Sequence, residues 1–305
     1  MSERFSDARF SRADFLKGAI ALSSGLYLSQ IPQIESSGAN TEQFATTPSW
    51  SQDFSKMKNG QPDPKYWNYV LGNTVPGYNY EAETLTKNPN NVRIENGVLV
   101  IEARVQNKND RQYTSAYITT QGKFGFEYGK LETSLKLPNG IGTWPAAWLL
   151  PTKPKYNPAP YGLTGSDASW KINGEIDFAE AIGFMPGFVY PSDHTAANFS
   201  QKLSDPFHKT VKNDTSVFHT YGVEKLPSNI TFTFDGKPYL TIPKRSDSPI
   251  EWPFEQEYFL ILNLAMGGKW GGMDKNSTTN SAGIDNASGP WKYEIESINF
   301  YNLNS

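Results

Sequence analysis

The sequence predicts an all-β domain built as a sandwich or a barrel. Three observations favour this class: short runs rich in β-branched and aromatic residues recur along the chain, 25 glycines and 21 prolines separate them, and no useful helical period follows residue 49. Many short strands between turn residues are typical of sandwiches and barrels. We expect one such domain, because neither an internal repeat nor a second composition regime is visible.

The clearest strand signals lie in five regions. Residues 97–103 follow an Asn-Gly turn, and residues 115–120 form a second β-type run. Residues 131–137 alternate apolar and polar side chains before Pro-Asn-Gly. Residues 231–242 predict a hairpin around Asp-Gly, and residues 297–301 alternate as the last strand.

Composition excludes several classes of function. The chain has 28 Lys and Arg against 31 Asp and Glu, a formal net charge of −3, so nothing favours a nucleic-acid partner. The absence of cysteine removes disulfides, thiolate metal sites and cysteine nucleophiles. The histidines, His194, His208 and His219, are too far apart for a zincin motif. Aromatic residues make up 14 % of the chain, so we expect some rings on a binding face.

Residues 1–40 resemble an export signal and linker, and we expect them to be removed or disordered, with the folded domain formed by residues 41–305. Basic residues precede an apolar stretch at 18–28 that is too short to span a bilayer. Residues 11–17 resemble a twin-arginine signal in which Ala13 replaces the second arginine. The alternative is a short amphipathic helix packed on the domain. We expect a secreted or cell-surface protein that uses a twin-arginine-like or general export signal.

An acidic segment at residues 173–183 is the most informative part of the sequence. On a regular strand Glu175 and Asp177 share one face, and the apolar residues between and after them point the other way. Glu180 lies five residues after Glu175 and would fall on the apolar face. A β-bulge near Phe178 would return it to the acidic face.

Three crowded carboxylates resist being ionised together, so at least one should hold a raised pKa. Retaining glycoside hydrolysis needs this arrangement, with one ionised carboxylate as nucleophile and one protonated carboxyl as acid, about 5 to 5.5 Å apart. The alternatives that the residues alone leave open are a solvated strand face and a cation site.

Six segments, the acidic one included, resemble glycoside hydrolase family 16 in order and spacing. They are residues 122–132, 142–151, 175–180, 218–224, 234–238 and 259–270. The resemblance covers residues 50–301 and implies a jelly-roll sandwich of two curved antiparallel sheets with an open cleft on the concave face. It also implies that residues 41–305 are a catalytic domain that cuts β-glycan chains internally with retention of configuration.

The resemblance gives the acidic residues their roles: Glu175 matches the nucleophile, Asp177 the helper carboxylate, and Glu180 the general acid/base. The spacing Glu-x-Asp-x-x-Glu resembles laminarinases, agarases and carrageenases. In lichenases and plant xyloglucan enzymes the corresponding spacing is Glu-x-Asp-x-Glu instead.

Several other residues match cleft positions of the family. Trp144 matches a residue that stacks on a sugar ring, whereas we expect Trp148 in the core. Trp170 and Trp270 are weaker candidates for sugar binding. His194 lies where relatives carry a cleft histidine, and its alternative is a purely structural role.

Residues 78–86 resemble a laminarinase stretch in which Asn79 and Glu81 would contact sugar hydroxyls. Three positions depart from that stretch, where an asparagine and two tyrosines are replaced by Tyr80, Thr84 and Leu85.

Asp53, the Gly97 carbonyl and Glu296 match positions at which some relatives bind calcium. Oxygen ligands of this kind suit that ion. We therefore consider a structural Ca²⁺ site here, although the chemistry itself requires no cofactor.

The expected protein is thus a secreted, monomeric endo-β-1,3-glucanase that acts on laminarin-like or mixed-linkage β-glucan by double displacement, with no membrane span after loss of the leader. Within the same family the alternatives are a galactan hydrolase of the agarase or carrageenase type and a transglycosylase. A non-catalytic carbohydrate-binding jelly roll is the alternative from another class. Three crowded carboxylates argue against it, since a lectin gains nothing from them.

Overall fold

The computed structural model describes residues 43–73, 79–200, 211–212, 214–271 and 284–304. The predicted export signal and linker at residues 1–40, and His208, lie outside the described residues. No helix in the described part of the chain is long and apolar enough to cross a membrane.

The described residues form nineteen strands, three short α-helices and three 3-10 turns. In chain order the strands are β1 Trp50–Asp53, β2 Asn68–Tyr69, β3 Gly72–Asn73, β4 Glu83–Leu85, β5 Val92–Glu95, β6 Val98–Lys108, β7 Arg111–Ser115, β8 Tyr117–Thr119, β9 Gly129–Lys136, β10 Thr143–Pro151, β11 Glu175–Glu180, β12 Phe188–Val189, β13 Ser192–His194, β14 Val211–Lys212, β15 His219–Lys225, β16 Asn229–Phe234, β17 Lys237–Pro243, β18 Tyr258–Met266 and β19 Trp291–Tyr301. The α-helices are Ala168–Asn173, Ala196–Ser200 and Gly268–Gly271, and the 3-10 turns are Phe54–Lys56, Ala159–Tyr161 and Asn286–Ser288.

Two large sheets contain most of these strands. The first has eleven strands in the order β17-β16-β15-β9-β19-β6-β7-β4-β3, with β1 paired to β19 and β5 paired to β6. The second has six strands in the order β13-β11-β10-β18-β8-β2. Pairing is antiparallel throughout both sheets except between β4 and β7. The five predicted strand regions all form strands, and the predicted all-β sandwich is confirmed.

The hydrophobic core lies between the two sheets. Leu131, Thr133 and Leu135 of β9 are fully buried, and Glu132 and Ser134 between them point to the other face. Ile176 and Phe178 of β11 belong to the same core cluster from the opposite sheet. Burying each such side chain stabilises the folded state by about 1.5 to 3 kcal/mol. The core therefore fixes which face of β11 is apolar and leaves the other face for its acidic residues.

The end of β11 packs closely on a neighbouring turn. Gly183 donates its N–H to the Thr143 carbonyl at 2.8 Å. A Cβ atom on Gly183 would lie 1.7 Å from the Gly140 carbonyl oxygen, so any side chain there requires the backbone to move.

We predict that Gly183→Ala lowers the free energy of unfolding by about 2 to 3 kcal/mol, because the added methyl overpacks the backbone. Urea unfolding of the purified protein measures the loss. Gly122→Ala is the matched control: its φ is +69° and nothing lies within 4 Å of the added Cβ, so only the backbone conformation costs free energy, about 1 kcal/mol. Equal losses in the two variants would contradict the steric account.

Candidate active site

The pairing of β10 with β11 is irregular beside the acidic residues. Ala147 lies opposite Ala179, but the next residue, Trp148, lies opposite Asp177. Phe178 is therefore an extra residue on β11. This is the irregularity that the spacing of the carboxylates predicts, and bulges of this kind re-aim side chains beside active sites.

The extra residue places the acidic side chains on one face of the six-stranded sheet. Glu180 lies opposite Ala146, which is two residues from Trp148 on β10. Because β10 pairs with β18 in an unbroken register, residues two apart on β10 share a face, and so do their partners Asp177 and Glu180. Glu175 is two residues before Asp177 and faces the same way.

Strand β13 brings a histidine and a serine to this acidic face. His194 lies opposite Glu175, and Ser192 lies opposite Asp177. His194 Nε2 contacts Asp177 Oδ2 at 2.8 Å and lies 3.7 Å from Glu175 Oε1. Ser192 Oγ donates to the same Asp177 oxygen at 2.6 Å. The structure thus places His194 between two of the three carboxylates and holds Asp177 by two side chains.

Two indole N–H groups hold the outer carboxylates. Trp144 Nε1 donates to Glu180 Oε1 at 2.6 Å, and Trp170 Nε1 donates to Glu175 Oε2 at 2.8 Å. The Trp144 ring meets the Trp270 ring edge-on, with centroids 5.5 Å apart. Both weaker tryptophan candidates therefore lie at the site, and Trp170 binds an acidic residue directly.

Burial and mutual repulsion raise the pKa of both outer carboxyl groups of the site. Burial, and then the charge of Asp177, raise the pKa of Glu175 to about 8, against the opposing effects of His194 and the Trp170 hydrogen bond. Burial and the charge of Asp177 also raise the pKa of Glu180 well above its usual range. A shared proton relieves the repulsion. The positive charge of His194, which lies 3.7 Å from Glu175 Oε1, opposes the raised pKa of that residue.

The surroundings of the histidine favour its cationic form. Burial lowers the pKa of His194, but the charge of Asp177 and the hydrogen bond to it outweigh burial and raise that pKa to about 10. The positive charge favours the ionised form of the carboxylates beside it.

Trp148 does not lie in the core, so that expectation is wrong. It is half-buried on the acidic face, where its Nε1 donates to Asn263 Oδ1 at 2.8 Å. Its ring meets Tyr117 edge-on, with centroids 6.0 Å apart. The reason is the period of a strand: Trp148 is four residues from Trp144, and even separations fall on one face. That signal was present in the sequence.

Asn79 and Glu81 lie near Trp144, at the turn that follows β18. Glu81 pairs with Gly267 in an isolated β-bridge. A Cβ atom on Gly268 would lie 2.9 Å from the Asn79 carbonyl oxygen and 3.2 Å from Trp144 Cζ3. The structure therefore brings these two candidate sugar contacts to the same end of the site as Trp144.

The considered calcium ligands are engaged by other partners. The Asp53 carboxylate forms an ion pair with Lys56 at 2.7 Å, and Glu296 accepts a hydrogen bond from Ser134 Oγ at 2.9 Å. A calcium ion bound by Asp53, Glu296 and the Gly97 carbonyl would compete with these partners, and calcium binding here stays a prediction.

Glu175, Asp177 and His194 are a group within the described residues whose ligand atoms could reach one cation, all lying within 4.8 Å of one another. The hydrogen bonds described above already satisfy Asp177 through His194 and Ser192.

Comparison with known proteins agrees with this geometry. The model of the glycosyl hydrolases family 16 matches residues 79–287. A beta-glucanase from Rhodothermus marinus is 35 % identical over 260 residues, which cover 83 % of this chain and 84 % of that protein.

Solved structures give the same result. The laminarinase from Rhodothermus marinus superposes with a TM-score of 0.73 at 33 % identity, covering 86 % of this chain and 99 % of that one. A laminarinase from Flavobacterium superposes with a TM-score of 0.68 at 32 % identity, covering 84 % and 100 %. These neighbours confirm the jelly-roll sandwich. The chain belongs to glycosyl hydrolase family 16 and is a glycoside hydrolase.

Proposed function

We propose that this protein is a retaining endo-β-1,3-glucanase that cuts laminarin-like or mixed-linkage β-glucan by double displacement. The observation that carries the proposal is the bulged strand β11, which presents Glu175 and Glu180 on one face in different environments. The similarity to beta-glucanase and laminarinase sequences and structures supports the choice of a β-glucan.

In the first step the ionised Glu175 carboxylate attacks the anomeric carbon while the Glu180 carboxyl gives its proton to the leaving glycosidic oxygen. The glycosidic bond breaks and an ester forms between the sugar and Glu175. In the second step Glu180, now ionised, takes a proton from water. The hydroxyl displaces Glu175, so the product keeps the β configuration of the substrate.

Asp177 acts between the two reacting residues. Because it accepts hydrogen bonds from Ser192 and His194, its own orientation is fixed. Its negative charge favours the protonated form of Glu180. We infer that Asp177 keeps the acid protonated before the first step.

The burial of the acidic residues favours a hydrolase over a sugar-binding jelly roll. Asp177 is 2 % exposed, and both glutamates are held by indole N–H groups. Burying several carboxylates together destabilises a fold, so a binding protein would gain nothing from the arrangement.

We extend the proposal to the location of the enzyme. The basic and apolar character of residues 1–40 supports export to the cell surface or the medium. Export would bring the enzyme into contact with extracellular polysaccharide.

We predict that Glu175→Gln and Glu180→Gln each lower the release of reducing ends from laminarin by about 10²-fold or more, because each removes a group that the chemistry requires. The assay compares laminarin, lichenan and agarose. Glu294→Gln is the control, since Glu294 lies on the other sheet and pairs with Lys136. Full activity of either active-site variant would refute the assignment of that residue.

We predict that Trp144→Phe moves the basic limb of the pH profile of kcat/KM to higher pH. The Trp144 hydrogen bond favours the ionised form of Glu180, so its loss raises the pKa of that acid, which then stays protonated to higher pH. KM for laminarin should also rise, because the phenyl ring offers less surface to a sugar than the indole. A basic limb that moves to lower pH would contradict this account.

A further inference from the structure

Asn173 connects a loop to the short helix that precedes the acidic strand. It is 1 % exposed and is the last residue of the helix Ala168–Asn173. Its side-chain carbonyl accepts the Tyr156 N–H at 2.8 Å, and its amide nitrogen donates to the carbonyls of Tyr156 at 2.9 Å and Ser169 at 2.8 Å. The whole amide group is therefore used in joining the loop to the helix.

The backbone of Asn173 is fixed from a second direction. Its carbonyl oxygen accepts the Tyr258 hydroxyl at 2.6 Å and Gln256 Nε2 at 3.0 Å. Both side chains are buried, and Lys225 Nζ in turn donates to the Gln256 carbonyl at 3.2 Å. Strand β18 and the residues before it thus hold the point where the helix ends.

One residue separates Asn173 from Glu175, and it allows little movement. Gly174 has a φ of +74°, and its N–H donates to the Trp170 carbonyl at 2.8 Å. A Cβ atom at this position would lie 2.6 Å from Pro253 Cγ. The direction in which the chain enters β11 is therefore set by Gly174 and by the contacts of Asn173.

The helix also carries the indole that binds Glu175. Trp170 lies three residues before Asn173 and donates to Glu175 Oε2 at 2.8 Å. A helix of six residues does not hold its orientation by itself, so it depends on tertiary contacts. We propose that Asn173 is a positioning residue that acts through Trp170 to hold the Glu175 carboxylate in its reactive orientation.

This role rests on the proposed function of Glu175 as the nucleophile. If Asn173 has this role, it also affects the pKa of Glu175. Burial and the charge of Asp177 raise the pKa of Glu175, and the Trp170 hydrogen bond lowers it. Displacing Trp170 removes the lowering effect, so the nucleophile would ionise at higher pH and the acidic limb of the pH profile would move upwards.

The test begins with a readout that does not require activity. Indole N–H resonances of the eight tryptophans are recorded by NMR on the full chain, and Trp170→Phe identifies the Trp170 signal. In the wild type this signal should follow the titration of Glu175. In Asn173→Ala the Trp170 resonance should move towards the chemical shift of an indole N–H without a carboxylate partner. The midpoint of its pH titration should rise.

Kinetics on laminarin then test the consequence for catalysis. Asn173→Ala should lower kcat about tenfold or more, with KM changed by less than about twofold, because the loss concerns the reacting group rather than sugar binding.

Tyr258→Phe removes one hydrogen bond to the Asn173 carbonyl and keeps the ring, so it should fold and give smaller changes in the same direction. The double variant Asn173→Ala/Trp170→Phe should lose little more than either single variant.

Thr133→Val is the matched control, because it removes a buried hydrogen bond to the Tyr221 carbonyl in the other sheet. It should leave the Trp170 signal and kcat unchanged. An unmoved Trp170 signal in folded Asn173→Ala, an unchanged kcat, or fully additive losses in the double variant would overturn the proposal. If the wild type cuts none of the tested glucans, the proposed function fails, whereas the NMR titration still decides whether Asn173 positions Trp170 on Glu175.

Discussion

The site depends on one extra residue in β11. Side chains on a strand alternate between faces, so without the bulge at Phe178 the Glu180 carboxyl would point into the core, where a charge is strongly destabilised. With it, Phe178 and Ala179 both remain buried and Glu180 joins Glu175 on the other face. The apolar core thus determines which face of β11 can carry acidic side chains, and the bulge brings Glu180 to the face that carries Glu175.

Placing three carboxylates close together in a buried site destabilises the fold unless neighbouring groups offset their repulsion. Asp177 lies between the two glutamates and is almost fully buried, so its charge disfavours ionisation on both sides. The surrounding groups respond asymmetrically: Glu175 has His194 within 4 Å and the Trp170 N–H, whereas Glu180 has the Trp144 N–H. This asymmetry supports the proposal that Glu175 acts as the nucleophile while Glu180 keeps a proton.

The alternation of residues was sufficient to predict the sandwich, the shared face of Glu175 and Asp177, and the bulge that Glu180 requires. The same period places Trp148 on that face, but its apolar surroundings in sequence favoured the core, and this interpretation was wrong. The contacts of Ser192 and Asn173 could not be predicted, because they depend on the register of β13 and on loops distant in sequence. Periodicity within one strand carries no information about which strand lies beside it.

The stereochemistry of the first product tests the central claim most directly. Proton NMR during the first minutes of laminarin hydrolysis distinguishes the two configurations at the new reducing end. We predict that the β-anomer appears first and that the α-anomer grows in later by mutarotation, because two successive inversions at the anomeric carbon restore the original configuration. Initial formation of the α-anomer would show a single displacement by water and would contradict the role of Glu175 as nucleophile.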